Sequence, residues 1–202
     1  MKTDVCVIGA GVNGLAIAYL LLKEGKQVIV LERSDVGSGA SGACDDMILL
    51  QSKQPGINLE LAFESLELYK GLEKELGVDL GFKSMGGMIL IENELQLSIM
   101  ENFVKQQIAG GLDVEIIGQK ELRRRQPYVA DDIIASTYSA VDSQVDPLML
   151  MRGFVKNIER LGGVILRQAG VKRVERMATH RELETHGGLI VSSDMVVNAA
   201  GA

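Results

Sequence analysis

The sequence predicts an α/β fold that begins with a parallel sheet, and three consecutive segments predict it. Val5–Ile8 is a short apolar run typical of a buried parallel strand, and Val28–Leu31 is a second one. Between them, Asn13–Glu24 has apolar residues at helical spacing, and Gly25 provides its C-terminal stop. Strand, helix and strand in about 30 residues form a βαβ unit. The chain of 202 residues allows one or two domains around such a unit.

The middle of the chain predicts a second, more antiparallel subdomain. A loop of small residues, Ser34–Ala43, separates it from the βαβ unit. A helix is then expected from an N-cap at Asn58 to about Leu76. The remaining predicted elements are strands at Met88–Ile91 and Ile133–Tyr138, a helix at Glu94–Ile108, and a short helix at Glu121–Gln126 halted by Pro127.

The last third of the chain predicts a long helix and several strands. Asp146 and Pro147 are a capping acid followed by proline at the first helical position, and Gly162-Gly163 end this helix. The expected strands are Val164–Leu166, Val171–Val174 and Leu189–Val191, which form a small sheet with a hairpin at Gly187-Gly188, and a final buried strand at Met195–Val197. We therefore predict a discontinuous domain of residues 1–78 and 141–202, with residues 79–140 as part of a second domain.

Composition and charge exclude several classes of protein. Hydrophobic residues make up 47% and charged residues 24% of the chain, which is typical of a globular protein. The net charge of −6 leaves no basic excess for nucleic-acid binding. The longest apolar stretch, Leu15–Leu22, is too short to span a bilayer, and the first residues lack the charge layout of a signal peptide. Cys6 and Cys44 form no paired motif, so we expect a reducing, cytoplasmic location.

A glycine pattern at the first turn predicts a dinucleotide site. Residues 9–14 (GAGVNG) match GxGxxG, but residues 37–42 (GSGASG) match it too, so the pattern alone is weak in so glycine-rich a chain. Only the first match follows a buried strand and opens an apolar helix. It also has an acid, Glu32, at the end of the next strand. These conditions together predict that an adenine dinucleotide binds at the first turn.

Each residue of the first turn has a physical role in such a site. Gly9 permits the tight turn, Gly11 lets the backbone approach a pyrophosphate, and Gly14 lets helix and strand pack closely. The helix start, at Val12 and Asn13, offers unpaired N–H groups and a partial positive charge to a diphosphate.

Glu32 and the second glycine cluster favour FAD over a nicotinamide cofactor. The Glu32 carboxylate would accept hydrogen bonds from both ribose hydroxyls and would repel a 2′-phosphate, which argues against NADP. Residues 37–42 leave backbone N–H groups free near the same phosphates, as the longer FAD molecule requires. At residues 195–202 (MVVNAAGA) an apolar strand closes in small residues, which lets the main chain pass close to a cofactor.

Four segments follow one another along the chain: VCVIGAGVNGLAIAYLLLKEGKQVIVLER, GSGASGA, VDSQVDPLMLMRGFVKNIERLGGVIL and VVNAAGA. In this order they resemble the FAD-dependent amine and amino-acid oxidoreductases, a family that includes D-amino-acid oxidase, glycine oxidase and sarcosine oxidase. The resemblance implies a Rossmann-like FAD-binding domain interleaved with part of a mixed or antiparallel substrate domain. It also implies hydride transfer from the Cα–H of a small amine or amino acid to flavin N5, giving an imine that water hydrolyses.

The resemblance also implies a set of cofactor-binding residues. Those expected at the pyrophosphate are Gly9, Gly11 and Gly14, with Val12 and Asn13 at the helix start. Glu32 is expected on the adenosine ribose, Arg33 beside the adenine, Ser41 and Gly42 at the phosphates and ribityl chain, the backbone of Val171 at the adenine edge, and Ala200 and Gly201 near the cofactor. Cys44-Asp45-Asp46 departs from the Asn-Gly or Ala-Gly that relatives often have.

Several further expectations concern the rest of the enzyme. Relatives are typically near twice this length, so the chain is interpreted as an N-terminal portion that alone holds FAD poorly and is inactive. Catalytic residues are expected beyond Ala202. Arg123-Arg124-Arg125 is a candidate for binding a substrate carboxylate, although three cations at a helix end are more typical of a solvated terminus. His180 and His186 lie in a polar hairpin without metal-ligand company, so no metal site is expected.

Other functions remain open at this point. One is an FAD-dependent 2-hydroxy-acid or glycerol-3-phosphate dehydrogenase, another a non-catalytic FAD-binding subunit, and a third an NAD-linked dehydrogenase. The expected partners are a small amine or amino-acid substrate and an electron acceptor, either oxygen or another redox partner, in an oligomer or heteromeric complex.

Overall fold

A computed structural model describes residues 1–201, which divide into two compact units. Unit 1 comprises Met1–Asp45, Leu76–Leu80 and the chain from Asp146 onward, and unit 2 comprises Asp46–Glu75 and Gly81–Val145. Of the described helices, none is long and apolar enough to cross a membrane.

Twelve strands and five α-helices make up the two units. The strands are β1 (Lys2–Ile8), β2 (Val28–Leu31), β3 (Met47–Ile48), β4 (Lys83–Ser84), β5 (Gly87–Ile91), β6 (Glu115–Gly118), β7 (Ala135–Ser139), β8 (Ser143–Gln144), β9 (Val164–Leu166), β10 (Val171–Arg176), β11 (Arg181–Thr185) and β12 (Ile190–Asn198). The helices are α1 (Val12–Lys23), α2 (Ile57–Leu76), α3 (Glu94–Ala109), α4 (Gln119–Arg125) and α5 (Pro147–Arg160), with a 3₁₀ turn at Ala40–Gly42.

Unit 1 contains a six-stranded sheet in the order β10-β11-β12-β1-β2-β9. Strands β12, β1, β2 and β9 are parallel, and β10, β11 and β12 pair antiparallel. Ile8, at the end of β1, pairs with Leu31 on one side and with Asn198 on the other. The chain leaves β1 toward β2 and β9 and returns to the opposite side as β12, so the strand order reverses beside β1. Ligands of open α/β sheets bind outside the carboxyl ends of the strands at such a point.

This architecture confirms the predicted α/β fold and its first βαβ unit, but the separate small sheet expected near the end of the chain is wrong. Strand β9 pairs with β2, and the β10–β11 hairpin pairs onto β12, so all of them belong to one sheet. The two late strands expected at Leu189–Val191 and Met195–Val197 are one strand, β12. Polar residues interrupt the apolar pattern there, yet the buried Ser193 hydroxyl donates to the carbonyl oxygens of Asp4 and Met195 within the sheet.

The structure tests two N-caps that were predicted from the sequence. The Asp146 carboxylate accepts hydrogen bonds from the N–H groups of Leu148 and Met149, which confirms the predicted N-cap of α5. The N-cap predicted at Asn58 is wrong because α2 already begins at Ile57. The carbonyl oxygen of Gly56 accepts from the N–H groups at 59 and 60, so the first helical hydrogen bonds begin before Asn58.

Apolar packing on the sheet holds unit 1 together. Cys6, Ile29 and Leu183 belong to one buried cluster on the sheet. Burial raises the pKa of the Cys6 thiol to about 12, so the thiol stays protonated and unreactive at neutral pH. Helices α1 and α5 pack against each other, with the rings of Tyr19 and Phe154 at a centroid distance of 5.7 Å.

Unit 2 is built from two three-stranded antiparallel sheets and the helices packed with them. The sheet orders are β3-β8-β4 and β5-β7-β6, and the antiparallel character agrees with the sequence prediction for the middle block. Leu50, Leu59, Val104 and Leu112 form part of its main buried cluster. Of the strand predicted at Met88–Ile91, the last residue is buried and Leu90 is largely exposed.

A buried polar network in unit 2 contains a carboxyl group that carries a testable pH dependence. Asp142 is fully buried and accepts hydrogen bonds from the Leu50 N–H at 2.7 Å and from Gln51 Nε2 at 2.6 Å. Gln51 Oε1 in turn accepts from the Thr137 hydroxyl. Burial raises the pKa of Asp142 above its ordinary value of 3.8, which outweighs the opposing effect of these hydrogen bonds and of the Lys53 charge.

Replacing Asp142 by asparagine is expected to lower the free energy of unfolding by about 1–3 kcal/mol in acid. A protonated carboxyl can still accept at both oxygens, whereas the amide has one acceptor oxygen and its N–H₂ group faces one of the two donors. The loss should shrink as the pH rises. A raised folded-state pKa contributes stability that is fully present below the unfolded pKa and disappears as the pH passes the folded one. Urea titrations of the wild type and Asp142→Asn at a series of pH values from acid to neutral measure the difference in the free energy of unfolding. The exposed Asp132→Asn serves as the control, and a loss that grows with pH would contradict the assignment.

Candidate dinucleotide-binding site

The turn after β1 is closed by backbone on two sides. The Gly9 N–H donates to the Leu31 carbonyl at 2.8 Å, and the Ala199 N–H donates to the Ile8 carbonyl at 2.8 Å. Gly9 has φ +101°, and a Cβ placed on it would lie 2.4 Å from the carbonyl oxygen of Ala199. Only glycine fits this position, since both the backbone conformation and the close approach exclude a side chain.

Helix α1 packs directly against this turn. A Cβ on Gly14 would lie 2.0 Å from the carbonyl oxygen of Gly9, so a helix with any larger residue here has to move away from the strand. The N-terminal end of α1, with its partial positive charge, is therefore held beside the carboxyl end of β1.

The second glycine cluster folds onto the start of α1. The Gly37 N–H donates to the Ala10 carbonyl at 3.1 Å, and the Ser41 hydroxyl oxygen accepts from the Val12 N–H at 3.0 Å. A Cβ on Gly11 would touch the same Ser41 oxygen at 3.0 Å, and one on Gly42 would lie 2.2 Å from the Gly37 carbonyl oxygen. The two glycine-rich segments thus meet at the start of α1. The N–H groups of Val12, Gly37 and Gly42 already have partners within the protein, so the expectation that these segments leave such groups free is wrong for these three.

Glu32 is fixed in place before any ligand binds. Only 7% of the residue is exposed, one carboxylate oxygen accepts from the Ala10 N–H at 2.8 Å, and the other accepts from the Ser34 N–H at 2.8 Å. Each carboxylate oxygen has a second acceptor site. The carboxylate can therefore receive a pair of hydroxyl groups without losing its backbone partners.

The chain after β9 extends the sheet alongside Glu32. The Glu32 N–H donates to the Leu166 carbonyl at 2.9 Å, and the Ala169 N–H donates to the Glu32 carbonyl at 2.7 Å. This pairing brings Gly170 against Arg33, whose Cβ would lie 3.1 Å from a Cβ on Gly170.

These segments enclose a pocket of about 270 Å³ at the carboxyl edge of the sheet. Its walls are Ile8, Gly9, Leu31, Glu32, Arg33, Gly170, Val171, His186 and Ala200. Five of these residues were predicted from the sequence to bind the cofactor: Gly9, Glu32, Arg33, Val171 and Ala200. The other predicted residues (Gly11, Val12, Asn13, Gly14, Ser41 and Gly42) lie at the start of α1 and in the turn that covers it, and Gly201 follows Ala200 with φ +81°.

Four pocket walls were not among the residues predicted to bind the cofactor: Ile8, Leu31, Gly170 and His186. Ile8 and Leu31 were expected only as the last residues of the first two strands. Gly170 directly precedes Val171, which was predicted at the adenine edge, so this neighbour could have been predicted from the sequence as well. His186 lies in the turn between β11 and β12, and only the pairing of that hairpin within the main sheet brings it to the pocket. A larger groove of about 370 Å³ along α5 is lined by charged and apolar side chains, none of them among the predicted cofactor-binding residues.

The other sequence candidates have local partners. Arg123 pairs with Asp131 at 2.6 Å, and Arg124 and Arg125 both pair with Glu121, at 2.7 and 2.6 Å. The hydrogen bond from Arg124 is the main reason that the pKa of Glu121 falls to about 2. The three arginines thus act as a salt-bridged helix end in unit 2.

Cys44 and His180, which the sequence analysis also considered, have local contacts as well. The exposed Cys44 donates to the Ser41 carbonyl at 3.5 Å, and Asp46 has φ +65°. His180 approaches Glu182 at 3.4 Å.

Comparison with known proteins decides the family. Residues 4–202 match the family described as FAD dependent oxidoreductase (DAO). The chain belongs to this family.

Individual members of the FAD-dependent oxidoreductase family match almost the whole chain. Glycine oxidase of Bacillus subtilis (strain 168) is 29% identical, over 96% of this chain and 53% of its own length. Human mitochondrial dimethylglycine dehydrogenase is 25% identical, over 99% of this chain and 23% of its own length. The crystal structure of glycine oxidase from Geobacillus kaustophilus superposes with a TM-score of 0.94 at 26% identity, covering 100% of this chain and 56% of that one. The chain thus spans about half the length of the glycine oxidases that it matches.

The cofactor of this family is FAD, and the first turn fits it. Gly9 and Gly14 let the first turn pack closely against Ala199 and the start of α1, which provides backbone N–H groups beside the carboxyl end of β1. The Glu32 carboxylate is buried, fixed and able to accept hydroxyl donors. The residues at the first turn therefore fit the chemistry of an adenine dinucleotide.

Proposed function

We propose that the protein is an FAD-dependent oxidoreductase that oxidises a small amine or amino acid, similar to glycine, sarcosine or a D-amino acid. The observation that carries the proposal is the preformed crevice at the switch point of the sheet, where the first turn, the start of α1 and Glu32 converge. The names of the relatives, glycine oxidase and dimethylglycine dehydrogenase, support the substrate class.

Within this proposal, the residues of unit 1 hold the adenosine diphosphate half of FAD. The N–H groups of Gly11 and Asn13 and the hydroxyl of Ser41 bind the diphosphate, with Gly42 and Gly201 nearby. Val12 contributes by donating its N–H to the Ser41 oxygen, which leaves the Ser41 hydroxyl proton for the diphosphate. Glu32 accepts hydrogen bonds from the ribose hydroxyls. Bound FAD supplies a two-electron acceptor for a hydride from the substrate Cα.

The residues of unit 1 contribute to this reaction by orientation. The backbone donors are fixed by the fold and need no rearrangement when FAD binds, which lowers the free-energy cost of ordering the cofactor. We also propose a cytoplasmic location, which the unpaired cysteines, Cys6 buried and Cys44 exposed, support.

The chain spans about half the length of the glycine oxidases that it matches, so an anaerobic substrate panel tests the proposed reaction on the FAD-loaded full-length protein. Glycine, sarcosine, N,N-dimethylglycine, proline and D-alanine are mixed with the protein, and loss of the visible flavin absorbance is followed. Readmission of oxygen, or addition of a dye acceptor, then reports which acceptor restores the colour. We expect at least one amine to bleach the flavin.

Two other compounds serve as the contrasting arm of this panel. Bleaching by lactate or glycerol 3-phosphate, with every amine inactive, would instead indicate oxidation of an alcohol carbon. A loaded protein that no compound bleaches would contradict the enzymatic proposal and favour a non-catalytic FAD-binding subunit.

A further inference from the structure

We propose that His186 stacks against the adenine ring of the bound cofactor and thereby sets the affinity of the site for adenine nucleotides. This inference rests on the proposed function, because it adds a residue to the same FAD site. His186 lies in the turn between β11 and β12 and is a wall of the 270 Å³ pocket that contains Glu32.

The backbone holds His186 at the pocket. Its N–H donates to the Gly170 carbonyl at 2.9 Å, which ties the hairpin turn to the segment that follows β9. The next hydrogen bond of the turn, from the Gly188 N–H to the Thr185 carbonyl at 3.0 Å, closes the hairpin itself. The position of the His186 backbone therefore follows from the sheet and not from a free loop.

Gly170 leaves a gap beside Arg33 and His186. A Cβ on Gly170 would lie 3.1 Å from the Arg33 Cβ and 3.4 Å from His186 Cδ2. Arg33 and His186 therefore both border the same glycine. Any larger residue at position 170 would fill this gap.

The order of groups in an adenine nucleotide places the base in this gap. The diphosphate belongs at the start of α1, and the ribose hydroxyls belong at the buried Glu32 carboxylate. The base is attached to the ribose on the side away from the diphosphate. It must therefore occupy the part of the pocket formed by Gly170, Val171 and His186, which are walls of the same pocket as Glu32.

An imidazole on the exposed side of that gap suits a purine. His186 is exposed, whereas Glu32 and Leu31 are buried, so the histidine covers the outer side of the pocket. Aromatic rings and guanidinium groups stack on the flat face of a base, and such contacts tolerate any orientation of the ring edge. The other histidine, His180, differs in that it interacts with Glu182 and is not a wall of this pocket.

The test uses ADP, which contains the adenine, ribose and diphosphate but no flavin ring. Calorimetric titration compares the wild-type chain with His186→Ala, His186→Phe and the matched control His180→Ala. We expect ADP binding to weaken by about 5- to 100-fold in His186→Ala, the range that follows from losing one base–aromatic stack. His186→Phe retains a planar ring and should stay within about 3-fold of wild type. His180→Ala should bind as wild type does.

Each result has a distinct meaning. Unchanged binding in His186→Ala overturns the role of His186 and leaves the FAD site intact. Binding by His186→Phe as weak as that of His186→Ala overturns stacking as the contact. Absence of ADP binding by the wild-type chain overturns the proposed cofactor site and this inference with it. Because residue 186 is exposed, all three variants should unfold at the wild-type temperature, which separates loss of binding from loss of fold.

Discussion

Replacement of Glu32 by glutamine is expected to weaken ADP binding by about 10- to 100-fold, because a hydrogen bond to a charged group contributes about 1.5–3 kcal/mol. The side chain keeps its size, but one of its two oxygens becomes an N–H₂ group. In the wild type, the Ala10 and Ser34 N–H groups each donate to one carboxylate oxygen. The amide can satisfy only one of them, and it also loses an acceptor for a ribose hydroxyl.

Titration with 2′-deoxy-ADP identifies the contact that is lost. The wild-type chain should bind ADP more tightly than 2′-deoxy-ADP, and Glu32→Gln should bind the two ligands more equally. Glu24→Gln is the matched control, since it makes the same chemical change at an exposed acid at the far end of α1. Equal ADP affinity in Glu32→Gln and wild type would be incompatible with a ribose contact at this carboxylate.

Replacement of Gly14 by alanine is expected to lower the free energy of unfolding by about 3 kcal/mol or more and to abolish measurable ADP binding. The added methyl carbon would lie 2.0 Å from the Gly9 carbonyl oxygen, so α1 and the first turn have to separate. Neither atom belongs to a flexible side chain. Because the start of α1 is the proposed diphosphate site, the same displacement removes its donors from the ligand.

Gly71→Ala provides a sharp control for this change. Gly71 lies inside α2, and a Cβ there meets nothing within 4 Å. Alanine is the better helix former by about 1 kcal/mol, so Gly71→Ala should stabilise the chain slightly. Chemical denaturation of both variants should therefore give changes of opposite sign. Stabilisation by both substitutions would show that Gly14 is not tightly packed.

The parts of the fold that were predictable from the sequence are those that local patterns specify. The apolar runs of β1 and β2 and the residues of the first turn lie within about 30 consecutive positions, the size of one βαβ unit. The N-cap at Asp146 needs only its immediate neighbours. In each case, the residues that specify the structure are adjacent in the chain, so a pattern of types and spacings suffices.

The parts that were not predictable depend on pairing between distant strands. His186 reaches the pocket because β11 and β12 join the same sheet as β1, and Gly170 reaches Arg33 because β9 pairs with β2. The network around Asp142 likewise joins positions about 90 residues apart. The ion pairs of the three arginines could not be predicted either, because the sequence shows which charges are present but not which side chains meet.

A crystal structure of the chain with ADP tests the central claim most directly. We expect the diphosphate within hydrogen-bonding distance of the Gly11 and Asn13 N–H groups and the Ser41 hydroxyl, the ribose hydroxyls at the Glu32 carboxylate, and the base against His186. Density for ADP elsewhere on the chain, with the crevice at the first turn empty, would contradict the account.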